Sequence, residues 1–134
     1  MDAESDRARA REELEASDLR FTIGFEHSPI GIALASSAGR YLKVNPALCR
    51  MLGRDEATLL AMTFQDVTHP DDLEDEMTQL RAMTSGASGS WEAEKRYLLP
   101  DGSVVWAQIN SAVVAGEAGA SDYVFSQIQD ITEK

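Results

Sequence analysis

The residues able to do chemistry in this chain are few: one cysteine, two histidines and a dense run of carboxylates. Cys49 stands alone, which excludes an internal disulfide and a cysteine-rich metal site. His27 falls in a loop, and His69 stands just before a helix, where capping is its ordinary role. A histidine without partners is a poor sign of a metal. Asp71, Asp72, Glu74, Asp75 and Glu76 cluster on a helix, so their carboxylates diverge, whereas a calcium site wants ligands wrapped by a Gly-containing loop. Glu94 and Arg96 are neighbours on one strand face. If that face meets the helices, burial requires them to pair, with each other in a structural role or with a ligand, which makes Arg96 a candidate ligand anchor. There is no nucleophile–base pairing, no Gly-rich phosphate loop and no metal-ligand spacing, so no catalytic residue and no metal site is expected.

The elements that must position these residues are legible in turn. Residues 4 to 20 are rich in Arg, Glu, Asp and Ala and lack Gly and Pro, which favours a helix. Ala3, Arg7, Ala10, Leu14, Ser17 and Phe21 recur at spacings of four and three, a thin coiled-coil seam that makes Ala10, Leu14 and Phe21 candidates for a dimer interface. Gly31 to Ala35 and Tyr41 to Val44 read as a hairpin around Ser36 to Gly39. Asn45-Pro46 opens a helix that Gly53 closes. Short helices are expected at Glu56 to Ala61 and after Thr63, where Asp66 completes a cap. His69-Pro70-Asp71-Asp72 starts the longest helix, with Leu73, Met77 and Leu80 on its buried face and Gly86 at its end. Strands then follow at Trp91 to Tyr97, Val104 to Val114 and Tyr123 to Gln129, the first two joined by the Pro100-Asp101-Gly102 turn. Two hairpins flanking helices predict an α+β fold, one antiparallel sheet with helices on one face.

At 134 residues, 43% hydrophobic and 26% charged, the chain is sized for one domain with one core. The division expected is a helix or linker over 1–20 and a domain over 21–134. A net charge of −11 argues against nucleic acid and against anionic membrane. No apolar run reaches the roughly 20 residues of a membrane-spanning helix, and the acidic start is no signal peptide, so a cytoplasmic location is expected.

Several motifs, weak singly, form an ordered set: Phe25 with Ser28-Pro29-Ile30-Gly31-Ile32, Val44-Asn45-Pro46-Ala47, Met51-Leu52-Gly53, His69-Pro70-Asp71-Asp72-Leu73, Glu94-Lys95-Arg96-Tyr97, Pro100-Asp101-Gly102-Ser103, Val105-Trp106 and Gln129-Asp130-Ile131-Thr132-Glu133. Over residues 21 to 133 the chain resembles a PAS domain with its C-terminal PAC segment. The resemblance implies a five-stranded antiparallel sheet in the order 2-1-5-4-3, preceded here by the N-terminal helix. It also implies a small-molecule pocket under the helices. At the family's pocket positions stand Ile32, Leu34, Val44, Leu48, Leu52, Met77, Leu80, Ala107 and Ile109, with Arg96 and the final-strand Gln129 as polar candidates. Signals in the family leave through an Asp-Thr pair, here Asp130-Ile131-Thr132. They reach a C-terminal effector such as a histidine kinase, a diguanylate cyclase or a phosphodiesterase. The expectation is therefore a homodimeric sensory module that binds a small ligand or partner, with a ligand-free scaffold as the alternative.

Cofactor chemistry of the family finds little support in these residues. The light-sensing branch needs a cysteine where Phe64 stands and two flavin-holding asparagines where Arg96 and Ala107 stand. The haem branch needs a histidine within the long helix, which has none. FAD without a covalent bond and haem are the cofactors to weigh, and the expectation is that none is tightly bound.

Overall fold

Antiparallel pairing organises the chain, and the caps foreseen in the sequence punctuate it. A computed structural model describes residues 21–86, 89–115 and 122–132. The elements are α1 (21–27), β1 (Gly31–Ser36), β2 (Tyr41–Val44), α2 (Pro46–Leu52), α3 (Glu56–Leu60), α4 (Phe64–Val67), α5 (Pro70–Thr84), β3 (Ser90–Leu98), β4 (Val104–Val114) and β5 (Tyr123–Asp130). The sheet order is β2-β1-β5-β4-β3, all neighbours antiparallel, as the resemblance implied. The expected seam positions Ala10 and Leu14 lie outside the described residues. Phe21 is helical, stacks on Phe25 at 5.7 Å, and lies with it beneath the Lys43 ammonium.

Local chemistry sets the helix ends. Asn45 caps α2 by accepting from Leu48 N at 3.0 Å, Pro46 needs no amide partner at the first turn, and Gly53 closes it at φ 65°. Thr63 and Asp66 form a reciprocal capping box on α4. His69 Nδ1 accepts from Asp71 N at 3.1 Å to open α5. The β1–β2 turn requires Gly39, whose φ of 101° is left-handed and whose Cβ, if present, would fall 2.4 Å from Phe64 and Gln65.

The core lies between the sheet and α2 to α5. Leu48, Leu52, Leu59, Val44, Val67, Ile109 and Ile128 are wholly or almost wholly buried, each contributing about 1.5–3 kcal/mol. Helix α2 sits close on β1 because residue 31 is glycine: a Cβ there would meet Leu48 Cδ1 at 3.0 Å. Both edge strands carry an isolated bridge to a connecting segment. Arg40, beside β2, pairs with Thr63, and Tyr97 of β3 pairs with Thr68.

Candidate functional site

Between the inner sheet face and α5 lies a cavity of about 40 Å³. Its apolar wall includes Ala33, Ala35, Leu80, Met83, Ile109 and Val124, and its polar wall includes Tyr41, Glu76, Lys95, Tyr97, Ser111 and Ser126. The polar wall is where charge is buried. Lys95, on β3, forms an ion pair with Glu76, on α5, and both are under a tenth exposed. Thr68 completes the group: its hydroxyl accepts from Lys95 Nζ at 3.0 Å, and its one proton can serve Glu76 Oε1 at 2.9 Å or the Phe64 carbonyl at 2.7 Å. The ammonium also lies 4.4 Å from the centre of the Tyr97 ring. Burial pulls the Lys95 ammonium below its usual range, against the opposing pull of Glu76. Burial pushes the Tyr41 and Tyr97 phenols well above theirs, so both stay protonated at physiological pH. Across β4 and β5, the Ser111 and Ser126 hydroxyls pair at 2.8 Å.

Of the pocket residues expected from the sequence, Leu80 and Ile109 line this cavity. Val44, Leu48, Leu52 and Ala107 belong to the core packed beside it, and Met77 packs half-buried against Leu80, Met83 and Val124. Four expectations are corrected. Ile32 and Leu34 pair with Gln127 and Phe125, whereas Ala33 and Ala35 face the helices, so the two large residues of β1 lie on the opposite face. At Gly31 the close seat of α2 leaves no room for a side chain, and the small Ala33 and Ala35 leave space that the cavity occupies. Gln129 lines a groove on the open sheet face with Glu94, Trp106, Gln108, Ile131 and Thr132. Arg96 is also turned away from the cavity. Its guanidinium clamps Asp72 at 2.8 and 3.0 Å, its amide donates to the same carboxylate at 2.8 Å, and its plane covers the Trp106 ring at 5.1 Å. Glu94 is exposed, so the expected Glu94–Arg96 pairing on an inner face is replaced by two separate ion pairs.

Sequence reasoning passed over Lys95, Glu76, Thr68, Tyr41 and Tyr97. One signal was available: Glu76, Leu80 and Met83, the buried residues of α5, recur at four and three, the same spacing as Leu73, Met77 and Leu80 displaced by three positions.

The Arg96 bonds hold the Asp72 carboxyl below the usual carboxylate range. Asp72→Asn is therefore expected to cost about 1–2 kcal/mol at neutral pH, a charge-assisted bond discounted for partial exposure. A carboxyl whose folded pKa is depressed stabilises fully above its unfolded pKa and loses that contribution as pH falls through its folded pKa. The gap between parent and variant should stay constant from roughly pH 8 to 6 and close below about pH 4. Urea midpoints across that range check it, and a gap independent of pH would show that the carboxylate charge is immaterial.

The last described residues are tied to the sheet. Ile131 N donates to Trp106 O at 2.9 Å, Trp106 N donates to Thr132 Oγ1 at 3.1 Å, and Asp130 Oδ1 accepts from Thr132 N at 2.9 Å. Trp106, Val104 and Leu42 are large apolar residues left exposed. Among the described residues no group of three metal-ligating side chains converges, and no helix is long and apolar enough to cross a membrane.

Comparison with known proteins places this geometry among relatives. A family model described as the PAS fold matches residues 41–126. The chain is 37% identical over 123 residues to the probable diguanylate cyclase DgcE of Escherichia coli, covering 92% of this chain and 11% of that protein. It is 28% identical over 121 residues to the sensor histidine kinase TmoS of Ectopseudomonas mendocina, covering 90% of this chain and 12% of that protein. The chain thus spans about a tenth of the length of these curated relatives. Among solved structures, the PAS domain of an HTR-like protein from Haloarcula marismortui superposes with a TM-score of 0.74 at 28% identity, covering 92% of this chain and 99% of that one.

Proposed function

Because the chain belongs to the PAS-fold family, we propose that it is the cytoplasmic sensory module of a larger signalling protein, regulatory rather than catalytic. Its relatives of known type are a probable diguanylate cyclase and a sensor histidine kinase, and an effector of either class, or a cyclic-dinucleotide phosphodiesterase, is the output. The observation that carries this reading is the cavity at which the Lys95–Glu76 pair joins β3 to α5. An occupant there touches both layers at once. It biases whichever arrangement of helix and sheet it binds more tightly, and by no more than that difference in affinity. Neither a flavin nor a haem fits a space of about 40 Å³, whereas ordinary cofactor and drug-sized sites run to about 300 Å³ and more.

The exit is Asp130-Ile131-Thr132. Thr132 is bonded to Trp106 of β4, and Asp130 holds the Thr132 amide, so displacement of β4 is passed to whatever follows. A homodimer formed by the N-terminal segment and the open sheet face, where Trp106 and Val104 are exposed, supplies the frame against which that displacement acts. In the full-length protein, Asp130→Ala should uncouple effector output from the sensor while leaving the unfolding free energy of the domain within about 0.5 kcal/mol of the parent, as for an exposed surface change. Effector regulation that survives the substitution would sink the relay. The second reading, a ligand-free dimerisation scaffold, draws on the small cavity and the exposed apolar residues of the open face.

A further inference from the structure

Resting on the inner cavity as the sensory site, we propose that it takes a neutral, compact molecule of about four heavy atoms carrying one hydrogen-bonding oxygen, a short-chain alcohol or ketone, held by the Tyr41 and Tyr97 hydroxyls.

The two phenols point to a ligand because both line the cavity and neither hydroxyl is taken by a protein partner. Tyr41 is 4% exposed and Tyr97 2%, both line the cavity, and neither hydroxyl has a hydrogen-bond partner among the described residues. A hydroxyl that opens onto an internal cavity takes its partner from whatever fills that cavity, water or ligand. Gln65 Oε1 is the one side-chain atom among the described residues that is both sealed and unpartnered, so a probe of water size still reaches each phenol oxygen. Both are protonated donors, which calls for an acceptor.

Charge excludes an anion. Lys95 is the one cation of the lining and Glu76 the one anion, and they neutralise each other with Thr68 in between. A carboxylate ligand would meet the Glu76 charge with no free cation to offset it, in a site that desolvates it. Size excludes anything large. About 40 Å³ of space, at roughly 10–15 Å³ for each water-sized body, admits three or four atoms. The remaining wall is hydrocarbon from Ala33, Ala35, Leu80 and Val124, which suits a short alkyl end.

The test titrates the 134-residue chain with propanol, propanone and acetate and follows backbone amide NMR signals. The expected result is saturable shifts at Tyr41, Lys95 and Tyr97 with propanol or propanone, and none with acetate. Tyr41→Phe and Tyr97→Phe should each weaken that binding about tenfold, the worth of one hydrogen bond, with a melting temperature close to the parent's, because neither substitution removes a hydrogen bond within the protein. Preferential binding of acetate, unchanged affinity in the phenylalanine variants, loss of stability in those variants, or no saturable binding at all would each overturn the proposal, the last leaving the cavity to water. Binding is read on the sensor chain alone. A ligand that binds as expected and leaves the effector unmoved in the full-length protein would therefore sink the sensory reading and not the ligand class.

Discussion

Lys95→Met is expected to destabilise the domain by about 3–5 kcal/mol, because it leaves the Glu76 carboxyl buried without its partner. Both side chains are under a tenth exposed, so water cannot compensate the carboxylate, and the Thr68 hydroxyl alone is a weak substitute. Against a total folding free energy of typically 5–15 kcal/mol, this is enough to unfold a sizeable fraction of the protein at 37 °C. Glu76→Gln should be milder, since the amide still accepts from the Lys95 ammonium, though the cation loses its counter-charge. The informative variants are the single Glu76→Leu and the double Glu76→Leu, Lys95→Met. Replacing a buried pair with apolar groups of similar volume is often neutral or stabilising, so the double should recover most of the loss. Urea unfolding of parent, singles and double closes the cycle. A double as unstable as the sum of its singles would mean that the two charges do not act as a pair.

Asn45→Ala should be of similar size, about 3–5 kcal/mol, for a different reason. Asn45 is fully buried and its amide uses four bonds. It accepts from Ile32 N at 2.9 Å and Leu48 N at 3.0 Å, and it donates to Phe25 O and Ile30 O at 3.0 Å each. Alanine leaves four backbone groups without partners. Loss of a helix cap alone costs about 1 kcal/mol, and each further buried orphan about 1–3 kcal/mol before relaxation. Asn45→Asp keeps both acceptors but sets a carboxylate against two carbonyls, and it should be no better than alanine. Asn45→Ser should return about 1 kcal/mol by restoring the cap. Chemical denaturation measures all three, and a loss under 1 kcal/mol for alanine would show that water replaces the amide.

These two residues also mark how far the sequence could be read. The caps were legible because capping is local: Asn45-Pro46, Thr63 with Asp66 and His69-Pro70 each declare a helix within three residues. The other three bonds of Asn45 span 13 to 20 residues, and no spacing rule announces them. The strand order followed from a resemblance rather than from periodicity. The phase of β3 stayed hidden because both of its faces carry charge: Lys95 on one, Glu94 and Arg96 on the other. Period-two patterning has nothing to choose between them, and what decides is a single glutamate on α5, 19 positions away. On β1 the usual signal pointed the wrong way. Ile32 and Leu34 are the large residues, yet the inner face carries Gly31, against which α2 sits, and Ala33 and Ala35, which border the cavity.

The bridges from Arg40 to Thr63 and from Tyr97 to Thr68 have a further consequence. An unprotected border strand offers free amides and carbonyls to any extended peptide, which is how sheets recruit foreign chains and grow into fibrils. Here Met62 O accepts from Tyr41 N along one border, and His69 N donates to Arg96 O along the other. The same connecting segments that carry Thr63 and Thr68 thus act as bumpers at both margins, shortening the ladder available to an intruder. Crowded expression should favour association through broad surfaces rather than strand addition, and a truncation that removed either segment would turn a well-behaved module into an aggregation-prone one.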